Sequence, residues 1–348
     1  MGTVRTYAYY FKDISFEESP FNDVDNVVFC SLIYLDWKNI AEKSITLKDA
    51  AIKYFSTHTK MKKTPFTFWR SQELLKEIYQ SKRYGNIILS HYEKIVDQNG
   101  QFGAIKFNLD KDTTFIAYEG TDDTIIGWKE DFEMCYKFPV SSQKMAIEYI
   151  NRVIEWKDKK IIVGGHSKGG NLAMIASMYA KPHIKRKIIK VYNNDGPGFR
   201  KQQFESKEYK KMKEKLKMFV PKHCVIGFLL RNPEQYTVVE SDSFGIFQHD
   251  EGNWQCYGPF FIKTELAKES GKLEKNITKW LDEHDDEQRE KFVETLFDIL
   301  KRSEIYLFSE LRQLKLSRLI RLIKASQSLD KETKDLLSSA LKILSFEK

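Results

Sequence analysis

Ile161-Ile162-Val163-Gly164-Gly165-His166-Ser167-Lys168-Gly169-Gly170-Asn171-Leu172-Ala173-Met174 decides the fold of this chain. It opens as a short apolar run, the pattern of a strand buried on both faces. It closes with small and apolar residues at helical spacing. Between them, Gly165-His166-Ser167-Lys168-Gly169 is a G-x-S-x-G pattern in the strand–turn–helix setting of a nucleophile elbow. The glycines have a steric reason. The serine sits in a strained backbone conformation, and side chains two residues before and after it would collide across the turn. The turn lifts the hydroxyl off the sheet edge and sets the next backbone N–H beside it.

Outward from the elbow, strands alternate with helices. Apolar runs at Asn86–Ser90, Gly103–Asn108 and Thr113–Tyr118 read as strands, separated by the turn signals Gln98-Asn99-Gly100 and Asp110-Lys111-Asp112. An amphipathic helix is expected over 143–157, a strand over Lys187–Asn193, a lysine-rich helix over 203–216, and strands at Met218–Val220 and Tyr236–Val239. Before this block, residues 1–60 read as mainly helical. Asp23 caps a helix whose apolar positions are Val24, Val28, Leu32 and Leu35, and Ser71–Ile78 forms another. Beyond 262 the pattern is helical, with Asp285 and Gln288 forming a capping box ahead of Phe292, Leu296, Ile299 and Leu300. The expected architecture is an α/β-hydrolase fold: a mostly parallel central sheet covered on both faces, with helical N- and C-terminal extensions. Residues 1–262, including a helical segment over about 1–83, form the α/β domain. Residues 263–348 form a helical extension packed on it.

The 348 residues are 41% hydrophobic and 14% aromatic, enough for a substantial core. No stretch approaches the ~20 apolar residues of a membrane span. Residues Met1–Tyr7 lack the charged-then-apolar layout of a signal peptide. Cys30, Cys135, Cys224 and Cys256 are widely spaced and read as reduced thiols, not as a metal site. A cytoplasmic location is the expectation. The net charge of +8 is spread along the chain among many acidic residues, and no nucleic-acid-binding signature is present. A basic amphipathic face, Leu316, Leu319, Ile320 and Ile323 interleaved with Lys315, Arg318, Arg321 and Lys324, suits either a packed helix or contact with an anionic membrane.

A serine hydroxyl needs a base, and the base needs an acid that fixes its tautomer. In α/β-hydrolases these follow in the order Ser, Asp or Glu, His. His183 lies too near the elbow helix, and His284 belongs to a solvated helix start. His249, in a loop beyond the strand at Tyr236–Val239, is the candidate base, with His223 as runner-up. Asp195 is the candidate acid. It ends the first strand after the elbow, and Asp195-Gly196-Pro197-Gly198 forces a turn. Asp242 is the alternative. The oxyanion hole takes the Lys168 backbone N–H and, from Glu119-Gly120-Thr121, that of Thr121. The Lys168 side chain is read as incidental. Asp131 and Trp128 are read as braces of the Thr121 loop, with a core tryptophan as the other reading of Trp128.

Several motifs then match together: Tyr118-Glu119-Gly120-Thr121-Asp122-Asp123, Gly127-Trp128-Lys129-Glu130-Asp131-Phe132, the elbow through Ala173, Asp195-Gly196-Pro197-Gly198-Phe199, Val225-Ile226-Gly227-Phe228-Leu229-Leu230, and Gln248-His249-Asp250 with Trp254. In these the chain resembles a bacterial family of lipase-like α/β-hydrolases (Mbeg1-like), itself similar to class 3 lipases. The resemblance runs over most of the chain. It implies Ser167 as nucleophile, His249 as base, and Thr121 with Lys168 as oxyanion donors. Class 3 lipases carry arginine where Glu119 stands, and their acid follows the second strand past the elbow. Here that stretch, Lys222–Gly227, has no carboxylate, which leaves Asp195. The implied activity is cleavage of a lipid or other acyl ester without a cofactor. The alternative is a weakened or inactive relative that binds lipid or protein. Phe244, Phe247, Trp254, Tyr257, Phe260 and Phe261 are expected either to line an acyl groove or to pack in the core.

Overall fold

The computed structural model describes residues 2–58, 68–97, 100–122, 124–233, 235–307, 310, 321–322 and 329–344. After a two-residue strand β1 (Gly2–Thr3), the central sheet is built from β2 (Ile45–Thr46), β3 (Ile88–Asp97), β4 (Gly100–Asn108), β5 (Thr113–Tyr118), β6 (Lys160–His166), β7 (Ile188–Asn194), β8 (Leu216–Pro221) and β9 (Thr237–Val239). These eight lie side by side in chain order. Pairing is antiparallel from β2 to β5 and parallel from β5 to β9. β1 pairs instead with β10 (Gln255–Tyr257), which pairs with β11 (Phe260–Phe261).

The helices are α1 (Val4–Phe11), α2 (Asp23–Leu32), α3 (Leu47–Thr57), α4 (Phe68–Ile78), α5 (Ile125–Glu133), α6 (Ser141–Val153), α7 (Lys168–Tyr179), α8 (Pro182–Lys187), α9 (Lys201–Phe204), α10 (Lys207–Lys213), α11 (Lys268–Glu283), α12 (Asp286–Arg302) and α13 (Lys331–Leu344). Strands in unbroken order, joined by right-handed crossovers, send every crossover helix to the same face. That face carries α6, α7 and α10. The opposite face would be bare, and the N-terminal helices cover it. Alternation along β5 divides the two sides. Phe115 and Ala117 pack with Val24, Val27, Val28 and Phe29 of α2. Ile116 and Tyr118 pack with Ala146, Ile150, Leu172 and Met174 of α6 and α7. The fold is therefore the expected α/β-hydrolase type, a mixed sheet with helices on both sides.

A buried carboxylate fastens the N-terminal helices. Asp25 accepts from Arg83 Nε at 2.9 Å, Arg83 Nη2 at 2.5 Å, Tyr84 Oη at 2.7 Å and Tyr7 Oη at 3.0 Å. A fully buried ion pair is tolerated only with this degree of hydrogen bonding. The cap of α2 is Asn22, one residue before the expected Asp23, with Asp25 completing a capping box. The expected helix over 203–216 is two short helices, because the Ser206 hydroxyl accepts from Tyr209 N and starts α10 afresh. The first expected strand runs on to Asp97, past a bulge between Ser90 and Glu93 where His91 has φ 55°. At the C-terminal end, α12 begins with the expected Asp285–Gln288 capping box. Helices α11, α12 and α13 close a third core against α5 through Leu273, Trp280, Phe292, Val293, Phe297 and Ile125. Of the basic amphipathic face, Lys315, Leu316, Arg318, Leu319, Ile320, Ile323 and Lys324 lie outside the described residues. Among the described residues no helix is long and apolar enough to cross a membrane.

Candidate active site

β6 ends at His166, α7 begins at Lys168, and Ser167 alone makes the turn, with φ 57° and ψ −135°. Positive φ in a residue with a side chain costs on the order of 1–3 kcal/mol and persists only where the surroundings enforce it. Here they do. A Cβ on Gly165 would lie 2.1 Å from the Gly169 carbonyl, and one on Gly169 2.1 Å from the Tyr118 carbonyl oxygen. The Ser167 N–H donates to Asn194 O at 3.0 Å, and Gly170 N donates to Ser167 O at 2.8 Å.

β7 is the next strand in the sheet, so its end falls beside the elbow. Asp195 follows it with φ 51°. Asn193 Oδ1 accepts from Gly196 N at 2.7 Å and holds the reversal, and a Cβ on Gly196 would fall 2.2 Å from Ser167 O. Asp195 Oδ2 lies 2.7 Å from His249 Nδ1. Its Oδ1 accepts from Cys224 Sγ at 3.0 Å and Gly227 N at 3.2 Å. The carboxylate is buried with every partner fixed, so it can receive the Nδ1–H of His249 and leave Nε2 as the basic nitrogen. Among the described residues the Ser167 hydroxyl makes no hydrogen bond to the His249 ring; free hydrolases often hold this contact loosely until substrate binds.

His249 ends a 3₁₀ turn, Gly245–His249. His166 supports that turn from beneath. Its ring is centred 4.5 Å from the His249 ring, its Nε2 lies 2.7 Å from the His249 carbonyl oxygen, and its Nδ1 lies 2.9 Å from Tyr34 Oη. Burial, reinforced by the neighbouring His249, holds His166 well below the ordinary histidine pKa. Its Nε2 also lies 3.2 Å from the buried Glu251 Oε2. A neutral ring donates through Nε2–H to these oxygens and accepts the Tyr34 hydroxyl at Nδ1. Gln248 and Trp254 complete the support: Trp254 Nε1 donates to Gln248 O at 2.9 Å, and Gln248 Nε2 to Ser243 O at 2.8 Å.

The loop leaving β5 passes against the elbow. A Cβ on Gly120 would lie 2.2 Å from Tyr34 Oη and 3.0 Å from Ser167 Cβ. Thr121 follows, and its hydroxyl donates to Asp131 Oδ2. The Lys168 side chain is not incidental, contrary to the sequence-based expectation. It is 0% exposed and folds back from the elbow under this loop. Its Nζ donates to Gln101 O at 2.9 Å and Glu130 Oε2 at 3.1 Å, and lies 3.8 Å from Asp131 Oδ1. Glu130 also accepts from Ser142 N at 2.7 Å. Burial pushes Asp131 up to about 7, against the opposing pull of Lys168 and the Thr121 hydroxyl. Burial likewise raises Glu119, which Lys94 opposes from 2.7 Å.

The structure thus brings Ser167, Asp195, His249, Thr121 and Lys168 together at the carboxyl ends of β5 to β7. It does not bring Asp242 to the base: Asp242 is exposed and hydrogen-bonded to Gln255. His183 is exposed on α8, His284 stacks on Trp280, and the backbone N–H of His223 donates to Gln248 Oε1. The aromatic group divides: Trp254 and Phe261 are core, whereas Phe244, Phe247, Tyr257 and Phe260 are exposed.

A mixed sheet, parallel from β5 to β9, with a strained serine between a strand and a buried helix and an acid–imidazole pair at the same edge, defines a lipase-like α/β fold. The chain belongs to the Mbeg1-like family, whose model matches residues 78–298. No curated protein matches it. Among solved structures it is similar to one titled "Crystal structure of M37 lipase", at 14% identity over 58% of this chain and 68% of that one, with a TM-score of 0.33.

Proposed function

We propose that this protein is a serine hydrolase that cleaves a carboxylic ester of a lipid or another acyl compound. The carrying observation is the 2.7 Å contact between His249 Nδ1 and Asp195 Oδ2 at the sheet edge where Ser167 stands with positive φ. In this reading His249 Nε2 takes the Ser167 proton as the hydroxyl attacks the ester carbonyl. The backbone N–H groups of Thr121 and Lys168 receive the developing oxyanion. Each such donor contributes about 3–4 kcal/mol to the transition state. The imidazolium then protonates the leaving alcohol, and water activated by the same imidazole releases the acid from the acyl-serine.

Two measurements test this. A fluorophosphonate probe should modify the protein at Ser167, as mapped by peptide mass spectrometry. Ser167→Ala should abolish hydrolysis of p-nitrophenyl acetate while circular dichroism and the unfolding midpoint stay unchanged. Undiminished turnover in that variant refutes the assignment.

A further inference from the structure

Beneath the His249 turn lies a polar cluster that the proposed chemistry does not itself use: Ser31, Tyr34, His166 and Glu251, all buried. Ser31 belongs to the last turn of α2, and Tyr34 follows two residues past its end. Their contacts reach all three segments of the site. Gly120, the residue before Thr121, packs on the Tyr34 hydroxyl so closely that a Cβ there would lie 2.2 Å from Oη. The same Oη lies 2.9 Å from Nδ1 of His166, the residue before Ser167. Across the ring, Nε2 of His166 lies 2.7 Å from the His249 carbonyl oxygen and 3.2 Å from Glu251 Oε2. Ser31 Oγ donates to Glu251 Oε1 at 2.9 Å. The Thr121 loop, the elbow and the His249 turn therefore meet around one imidazole, which two residues from the N-terminal helices hold at either end.

The hydrogen bonds run one way. Burial, reinforced by Glu251 and Glu119, holds the Tyr34 phenol well above its ordinary pKa, so it keeps its proton and donates it. A neutral His166 accepts that proton at Nδ1 only when its own sits on Nε2. Its N–H then points at the His249 carbonyl and the Glu251 carboxylate. With the proton on Nδ1, a bare Nε2 lone pair would face those two oxygens instead. Tyr34 thus selects the tautomer of His166, as Asp195 selects that of His249 in the proposed triad. Ser31 orients the carboxylate. In a buried site such bonds are strong, and each polarises the next. We infer that Tyr34 and Ser31 are positioning residues: through His166 and Glu251 they hold the His249 turn and the Thr121 loop in register about Ser167. The N-terminal helices are then a working part of the active site as well as the cover of one sheet face. This role rests on the ester-hydrolase reading and adds the residues that hold its geometry.

Tyr34→Phe in the full chain is the test, because it keeps the packed ring and removes only the hydroxyl. A misplacement of about 1 Å can cost about a hundredfold, so kcat for p-nitrophenyl acetate should fall by about tenfold or more. KM should stay within about twofold, since no contact to the ester is lost. Fluorophosphonate labelling of Ser167 should slow by a similar factor and still run to completion. Complete labelling separates intact but misaligned sites from unfolded ones. Glu251→Ala should slow turnover as Tyr34→Phe does. Glu251→Gln, which keeps an acceptor for the His166 Nε2–H, should recover most of that loss. If Tyr34→Phe turns over and labels at the wild-type rate, the cluster is packing alone: the positioning role falls and the hydrolase reading stands. The outcome is the same if labelling stops short of completion in proportion to the lost kcat. If Ser167 of the wild-type protein takes no label and no ester is cleaved, both fall.

Discussion

Lys168 and His249 are anchored by opposite means. The Lys168 side chain is wholly buried, and Glu130, Asp131 and the Gln101 carbonyl fix its ammonium beneath the Thr121 loop. His249 ends a short 3₁₀ turn whose neighbour Phe244 is 85% exposed, and the ring keeps 16% of its own surface in solvent. One side is a preorganised cluster of charges in low dielectric. The other is a surface turn held by a handful of hydrogen bonds. In the proposed mechanism, charge stabilisation needs donors that do not reorganise, whereas a base that passes a proton needs access. The consequences of substitution should differ in kind between the two regions.

On the proposed mechanism, the largest effect should fall on the side of His249 and be kinetic. Asp195→Asn keeps the shape but presents an amide to His249 Nδ1, which favours the wrong tautomer. Its kcat should fall by about 10⁴, as for the equivalent change in serine proteases. The unfolding midpoint should shift little. Steady-state kinetics beside a denaturant titration check both, and a loss below tenfold would detach Asp195 from the reaction.

On the Lys168 side the corresponding change should act on stability first. Lys168→Met leaves Glu130 and Asp131 buried without their cation. Breaking a buried pair in this way costs about 3–5 kcal/mol. Lys168→Met with Glu130→Gln removes both charges, and more than half of the loss should return. Urea unfolding of the two singles and the double measures the coupling. Additive losses would mean that the ion pair is not what holds the loop.

The same contrast governs what the sequence disclosed. The elbow, the turn at Asp195 and the Gly120-Thr121 turn were readable because each is a contiguous string whose chemistry is local. The order Ser167, Asp195, His249 then limited the choice of base. The unbroken strand order was not readable, nor was the reason the N-terminal helices must cover one face. What Lys168 and His166 do was equally hidden. Lys168 reaches Gln101, 67 positions away, and His166 reaches Tyr34, 132 positions away. No periodicity encodes such contacts. The Lys168 side chain in the string G-H-S-K-G reads as incidental until the loop over it is in place. Likewise, the lysine-rich pattern over 203–216 gives no sign of the break that the Ser206 hydroxyl makes by accepting from Tyr209 N.

Asp131 provides a pH test of the buried side. Its folded pKa, about 7, lies above the ordinary aspartate value. Below about pH 4 both folded and unfolded forms are protonated, and the residue contributes nothing. Between about 4 and 7 the unfolded chain ionises while the folded one resists. Stability therefore declines as pH rises through this window, by at most about 1.4 kcal/mol per pH unit, and levels off above it. Asp131→Asn should remove that slope and retain an acceptor for the Thr121 hydroxyl. Unfolding free energies at pH 5, 6, 7 and 8 for the two proteins give the difference directly. Parallel curves would show that Asp131 ionises normally.

The smallest effect should come from the exposed turn. Phe244 precedes the Gly245–His249 turn, and its backbone carbonyl accepts from Phe247 N at 3.1 Å. Its ring is 85% exposed, so it buries little apolar surface. Phe244→Ser keeps the backbone bond and removes only the exposed ring. Such surface changes shift stability by less than about 0.5 kcal/mol. Hydrolysis of a soluble short-chain ester should be unchanged within twofold. A tenfold loss would mean that the ring reaches the substrate, and would move the boundary of the site outward from His249. An unchanged rate beside the 10⁴-fold effect at Asp195 would show that the base depends on what lies under the turn, His166, Asp195 and Trp254, rather than on the side chains it turns toward water.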